Sequence, residues 1–326
     1  MNDRYKPLRI AIGALAAFTV VFVTAGAFGW GTPAANESPI GDISRWCERV
    51  SGGLLREPVN TLGNLGFVVA GLAMFWTLAR EDSSTAANRF VGNQPLALLY
   101  ASATVFLGPG SMVMHGSNTF FGAWIDNVSM VTYILIPWLV NVSVLGRWTQ
   151  RTLFTVYGTL LGAYALTYWV FGSDLGIGLD LFGVSIGLWI ISEVVYRWWS
   201  PAMRVASGFV GFAVASVFGI TPMEMLDAPG EHWWVLLFWL PGLLATGPPI
   251  SKRRYTPWFW VGVASFLTAY AIWLTGTDDH EWCRPDSLLQ AHAIWHLLSA
   301  LATWGFFKFL RTERSTATIG QELTRN

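Results

Sequence analysis

Charge is what this chain has least of. Only 12% of its 326 residues are Asp, Glu, Lys or Arg, against 53% hydrophobic residues, whereas a soluble domain carries about a quarter charged residues. That deficit excludes an ordinary water-soluble globule. Net charge is missing as well: 20 basic and 20 acidic residues cancel, so no basic face is offered to nucleic acid. Cysteine is reduced to two residues and histidine to five, so the position of each is informative.

Apolar runs fill the space that charge leaves. A bilayer crossing takes about 20 apolar residues in a helix, and such runs lie near 10–29, 59–79, 95–115, 122–146, 152–171, 176–197, 205–220, 232–247, 257–275 and 289–310. The pair at 205–220 and 232–247 is short and has Pro222 and Pro241 at or near its ends. The chain therefore has ten spans, or eight if that hairpin is re-entrant, with the same sidedness in both cases. The expected fold is an all-α, polytopic transmembrane protein.

Basic residues near span ends stay on the cytoplasmic side. With the N-terminus inside, every Lys and Arg is cytoplasmic except Arg45, Arg49, Arg56 and Arg284, while 14 of the 20 acids sit in or beside outer segments. The first span follows a basic start and precedes "AGAFGWGTPAAN", a cleavage-like stretch. Its apolar run exceeds a signal-peptide core, which favours an uncleaved anchor. Residues 1–32 then form a cytoplasmic N-terminus and signal-anchor helix, 33–310 the main transmembrane domain, and 311–326 a cytoplasmic polar tail. The tryptophans concentrate near span ends, as an interfacial belt does.

Both cysteines, Cys47 in "RWCER" and Cys283 in "EWCRP", fall outside, where an oxidising compartment allows a disulfide; two unpaired thiols are the alternative. All five histidines also lie outside or at outer span ends. His292 and His296, in "QAHAIWHLLSA", are four residues apart and share a helix face. They can chelate one metal ion, or simply bond to neighbouring helices. A second group, "GPGSMVMHGSNTFFGAWIDNVSM", places Ser111 and His115 four apart and Asp126 about one turn into the next span. Gly108, Pro109 and Gly110 are expected to break the helix just before Ser111 and aim Ser111 and His115 at a common point. An Asp at membrane depth is costly and usually functional, although it also suits a helix N-terminus. Three imidazoles with an open fourth position form a catalytic zinc set.

These motifs, together with "RWCE" leading to "EPVNTLGN" at residues 57–64, resemble the alkaline ceramidases, part of a wider group of membrane hydrolases and receptors with a three-histidine zinc site. The resemblance spans residues 45–305 and implies a seven-helix core, here extended by the N-terminal anchor and an extra hairpin. It implies that His115, His292 and His296 are zinc ligands, that Asp126 handles the water proton, that Ser111 lies beside the attacking water or the substrate carbonyl, and that Cys47 and Cys283 are bonded. It further implies a second metal, calcium, at the N-terminal motif. There Trp46, Glu48 and Glu57 match, but Arg45 stands where an acid is expected and Val50 where an asparagine is. Hard cations need several oxygen ligands, so a guanidinium removes one donor and adds repulsion. The departures count against calcium, and Arg45 is expected to pair with Glu48 or Glu57 instead.

The resulting expectation is a zinc-dependent hydrolase of the amide bond in ceramide or a related N-acyl lipid. It is integral to the membrane, with its site facing outward, the periplasmic side if the chain is a bacterial inner-membrane protein. A zinc-locked receptor or lipid sensor is the alternative; Asp126 favours the enzyme, since a receptor needs no water-activating acid. A transporter would place its ionisable groups near the midplane, whereas here they gather at the outer end. Asp180 is expected to oppose a helix dipole, and His232 and His280 to be solvated loop residues.

Overall fold

The described residues are mainly α-helical, with almost no strand. A computed structural model describes residues 3–81 and 88–315; the polar tail beyond Ser315 lies outside the described residues. Two compact units divide it. Residues 1–129 with 253–313 form the first, and residues 130–252 with 314–326 the second.

The first unit contains α1 (Lys6–Ala27), α2 (Pro58–Gly63), α3 (Leu65–Ala79), α4 (Pro95–Ser117) and the opening of α5 (Phe120–Leu145), and, later in the chain, α12 (Trp258–Trp273) and α13 (Ala291–Leu310). Apolar composition makes these segments helical in a membrane, where only internal hydrogen bonding satisfies the backbone. Proline at the first helical position, where no N–H is needed, starts α2 and α4. Small residues then set how closely the helices approach, as in membrane packing generally. A Cβ on Gly71 would lie 2.4 Å from Val105 Cγ2 and 2.7 Å from Val105 N, one on Gly63 2.9 Å from Ala293 Cα, and one on Gly262 2.5 Å from the Phe306 ring. These positions press α3 on α4, α2 on α13 and α12 on α13.

The expected helix break at residues 108–110 does not occur. Helix α4 runs unbroken with Pro109 inside it, and the two flanking glycines are there for packing. A Cβ on Gly108 would meet Val68 Cγ2 at 2.6 Å, and one on Gly110 would meet Ser129 Cβ at 2.5 Å. Asn118, in the left-handed conformation at φ 52°, ends the helix, and α5 begins two residues later. Asp126 consequently lies nearly two turns into α5 rather than one.

At its C-terminal end α13 is tied to its neighbours by polar contacts. Arg311 pairs with Glu81 and donates to the Phe90 carbonyl at 2.7 Å. Asn88 donates to the carbonyls of Leu310 and Glu313 at 3.2 and 2.9 Å, and Glu313 accepts from Arg253 at 2.7 Å.

The second unit holds the rest of α5, α6 (Gln150–Phe171), α7 (Leu181–Arg197), α8 (Pro201–Ala206), α9 (Gly208–Val217), α10 (Pro222–Asp227), a 3-10 turn at Trp233–Trp239, α11 (Leu240–Leu244) and the short strands β1 (Ser251–Lys252) and β2 (Arg314–Ser315), which pair antiparallel. The Asp180 carboxylate caps α7 by accepting from Gly183 N at 3.0 Å, the helix-start role expected of it. His232 in this unit and His280 in the first each bond to local backbone at 3.1 Å and pack on a neighbouring tryptophan, Trp234 and Trp282 respectively.

Among the described residues, six helical stretches have the length and apolarity to cross a membrane: Asp3–Ala27, Pro58–Ala79, Pro95–Ser117, Phe120–Leu145, Gln150–Phe171 and Ala291–Leu310. Helices α7 and α12, of 17 and 16 residues, are the next longest. The hairpin at 205–247 is built from pieces too short to cross. The 10 residues of α9 rise only about 15 Å against a hydrocarbon core of about 30 Å. Gly208 and Gly211 fold this segment back on itself, since a Cβ there would enter the Trp239 and Phe238 rings at 2.4 and 2.2 Å. The eight-span alternative fits these lengths.

Gly71→Val should lower the thermal midpoint of the detergent-solubilised protein, because the added methyls overpack the α3–α4 contact at a cost of about 1–3 kcal/mol. An unchanged midpoint would show that the two helices can separate freely.

Candidate metal centre

Three histidines 177 and 181 residues apart in sequence meet with their ring nitrogens in contact. His115 Nε2 lies 3.1 Å from His292 Nε2 and 3.3 Å from His296 Nε2, and all three residues are buried. One nitrogen from each lies within 4.8 Å of the others. Among the described residues this is the one group of three or more His, Cys, Asp or Glu drawn that close.

The spacing fits a shared ion. Two nitrogens bonded to one tetrahedral metal at about 2.0–2.1 Å lie about 3.3–3.4 Å apart. Hydrogen bonding alone does not account for it: a neutral ring has one donor nitrogen, so His115 Nε2 cannot donate to both partners, and its proton is engaged elsewhere. His115 Nδ1 lies 2.8 Å from Glu57 Oε2. That carboxylate holds the proton on Nδ1 and turns the Nε2 lone pair toward the other two rings, the arrangement by which a second-layer carboxylate orients a metal-binding histidine.

Local sequence explains how the two halves meet. Helix α4 ends at His115 and beyond, so its last carbonyls need partners. The backbone N–H groups of Arg56 and Glu57 supply them, donating to Gly116 and His115 at 3.0 and 2.9 Å. The same pairing brings the Glu57 side chain beside the His115 ring. Asn60 Nδ2 donates to Glu57 Oε2 at 3.0 Å, and the Thr61 hydroxyl to the Glu57 carbonyl at 2.6 Å. Glu48 accepts from the backbone of Val59 and Asn60 at 2.7 and 2.8 Å, so an acid from another loop satisfies the first turn of α2. Burial pushes the Glu48 carboxyl above the usual carboxylate range, although those two N–H bonds favour its charged form.

His292 opens α13 beneath the ring of Trp46, stacked at 4.3 Å and 22°. The Cys47–Cys283 disulfide, with Cα atoms 5.5 Å apart, joins the Trp46 loop to the segment leading into α13. Gln290 organises that segment, donating to the Ser287 and Arg284 carbonyls at 2.9 and 3.1 Å. Gly276 lets the preceding loop pass close, since a Cβ there would lie 2.8 Å from Ala291.

Asp126 approaches the histidines from α5. Gly122 makes the α4–α5 corner tight enough, because a Cβ there would strike Ser117 Oγ at 2.8 Å and Met114 Cα at 3.0 Å. The Asp126 carboxylate interacts electrostatically with His115 and with the Ser111 hydroxyl. Ser111 Oγ is buried beside that carboxylate.

The residues read from the sequence, Ser111, His115, Asp126, His292 and His296, thus come together. Trp46, Glu48 and Glu57 lie at the same place, serving as ring stack, helix cap and histidine partner. Arg45 departs from expectation. It contacts Glu37 at 3.1 Å, because Glu48 and Glu57 are occupied by the α2 backbone and by His115. Glu37, Asn60 and Gln290 were not identified from the sequence. Gln290 and Asn60 lie inside the two quoted motifs, whereas Glu37 sits in a featureless loop.

A family model described as Ceramidase matches residues 43–324. No curated protein matches the chain.

His292→Ala and His296→Ala should each lose the bound metal, read as metal per chain by mass spectrometry. Glu57→Gln should keep it with about 10–100-fold lower affinity. Full metal retention in both alanine variants would remove these rings from the ligand set.

Proposed function

This chain belongs to the ceramidase family, and from that premise we propose that it is a zinc-dependent hydrolase of the amide bond in ceramide or a related N-acyl lipid, releasing a fatty acid and a long-chain amine. The observation that carries the reading is the convergence of three buried imidazole nitrogens at 3.1 and 3.3 Å with a carboxylate and a hydroxyl alongside.

His115, His292 and His296 would hold the ion. Nitrogen-only donors suit zinc, and three of them would leave a position open for chemistry. Zinc held there would supply Lewis acidity, lowering the pKa of water to about 7 and polarising a carbonyl. The protein's own residues carry the proton and place the substrate. Asp126 accepts a hydrogen bond from the attacking water, takes its proton, and gives that proton to the departing nitrogen as the C–N bond breaks. Ser111, beside Asp126, donates to the oxygen on which negative charge gathers. Glu57 keeps His115 in one tautomer throughout.

The site lies at the outer ends of α4 and α13 in the orientation that the basic residues favour. The disulfide beside it suits an oxidising outer compartment. At that depth a lipid presents its headgroup amide while its chains stay in hydrocarbon.

Asp126→Asn separates this enzyme from a metal-locked receptor. If Asp126 is only a polar group of α5, function persists, since nearly two turns into the helix it lies past the reach of the helix-start dipole. If it moves the proton, ceramide turnover followed by mass spectrometry of released fatty acid falls by about 10²–10⁴-fold, with metal content and thermal midpoint unchanged. Turnover near the wild-type rate would exclude Asp126 from the proton path.

A further inference from the structure

Glu57 lies within the reach of the charge of both Glu37 and Glu48, and the family resemblance implies calcium at the motif that carries Glu48 and Glu57. The residues present do not fit it. Both Glu48 oxygens accept from backbone N–H groups and Glu57 Oε2 is engaged by His115 and Asn60, which leaves Glu57 Oε1, Asn60 Oδ1 and Asn64 Oδ1 as the buried side-chain oxygens without a partner here, fewer than the roughly six to eight that calcium takes. Among the described residues these acids do not gather into a ligand group, and position 50 is a buried valine.

Another cation is already there. Arg45 Nη2 lies 3.1 Å from Glu37 Oε1, whose side chain is 2% exposed against 44% for Arg45, so the guanidinium reaches in from the surface to an acid that burial would otherwise leave uncompensated. The Arg45 guanidinium also lies 5.1 Å over the Trp46 ring, and Trp46 stacks on His292. Charge, ring and metal-binding imidazole form one continuous pile.

Glu37 comes from outside the family match, which begins at residue 43. The segment before it is held at several points. Phe22 of α1 fills the space over Gly116, where a Cβ would lie 2.5 Å from its ring. Trp30 Nε1 donates to the Leu54 carbonyl at 2.8 Å, and Ala34 N to the Asn118 carbonyl at 2.9 Å. The N-terminal helix therefore docks on the last turn of α4, beside His115, and delivers Glu37 to Arg45.

We propose that the Glu37–Arg45 pair is a built-in replacement for a divalent cation: an N-terminal extension supplies the acid, a guanidinium supplies the permanent positive charge, and together they position His292 through Trp46 without calcium. Arg45 and Glu37 are positioning residues. The proposal rests on the three histidines binding metal, but not on which lipid is cleaved.

The test uses the full-length protein in detergent, exchanged into calcium-free buffer, with two readouts that need no turnover: thermal midpoint, and zinc affinity by chelator competition. Adding millimolar calcium should leave both unchanged. Arg45→Gln and Glu37→Gln should each weaken zinc about tenfold, as loss of an outer-layer partner does, and the double variant should lose no more than either single one. Arg45→Lys should restore most of the loss, because it returns the charge. Calcium retention by the wild-type protein, a calcium-dependent rise in its midpoint, or zinc affinity in Arg45→Gln equal to that of the wild type would each overturn the proposal. If Arg45→Gln fails to fold, the wild-type calcium titration and Arg45→Lys still decide it. An inactive wild-type protein that meets these expectations would sink the hydrolase reading and leave this one standing.

Discussion

The contact between Glu57 and His115 is the constraint on which the rest of the site depends. A histidine nitrogen binds a metal only through a free lone pair, and in a buried, water-poor setting nothing but a fixed acceptor on the far side of the ring decides which nitrogen that is. Glu57 provides the acceptor at 2.8 Å. Its own place is set by the backbone pairing with the end of α4 and by Asn60 and Thr61 within α2. A buried carboxylate is expensive unless paired and hydrogen-bonded, so these partners hold the acid as well as the ring. Glu48 meets the same requirement differently, using two backbone donors at a helix start. Acidic residues that look like metal ligands in the sequence thus serve here as structural anions.

Much of this was legible in the sequence, for physical reasons that differ from element to element. Long apolar runs leave a chain few options in lipid, and α1, α4, α5, α6 and α13 lie close to where those runs put them. His292 and His296 were readable because helical spacing fixes relative direction over one turn. Their meeting with His115 was not derivable from spacing, since it depends on how α2 and α13 pack through Gly63 and Ala293; family resemblance supplied it. The hairpin at 205–247 misled in its ten-span form because hydropathy measures composition, not whether Gly208 and Gly211 let a helix fold back under two aromatic rings. The glycines around Pro109 misled in the same way. In isolation Gly-Pro-Gly signals a break, yet in a packed membrane helix the glycines are where a neighbour comes close.

Proximity through absent side chains recurs across the first unit and connects fold to chemistry. Gly63, Gly110, Gly116 and Gly122 lie around the histidine site, and each removes a methyl where a neighbour comes close, the backbone of Ala293 at Gly63 and of Met114 at Gly122, the Ser129 side chain at Gly110 and the Phe22 ring at Gly116. The polar groups they bring together, Ser111 and Asp126 on one side and Glu57 and His115 on the other, could not meet if the helices sat at the spacing of larger residues. Rigidity at the site comes from backbone proximity, and the polar network then selects one arrangement among those the packing permits.

The cross-link between Cys47 and Cys283 spans 236 residues of sequence and turns most of the chain into a covalent ring. His115 lies within that ring, while His292 and His296 lie just past its closure. A protease that nicks any loop between the two cysteines linearises the ring without releasing a fragment: His115 stays joined to the other two histidines, by the peptide chain if the cut precedes it and through the disulfide if the cut follows it. Such a molecule would migrate as one band until reduced and as two afterwards. In a compartment exposed to extracellular proteases, one clip in a loop between the spans would leave the metal ligands joined in a single molecule.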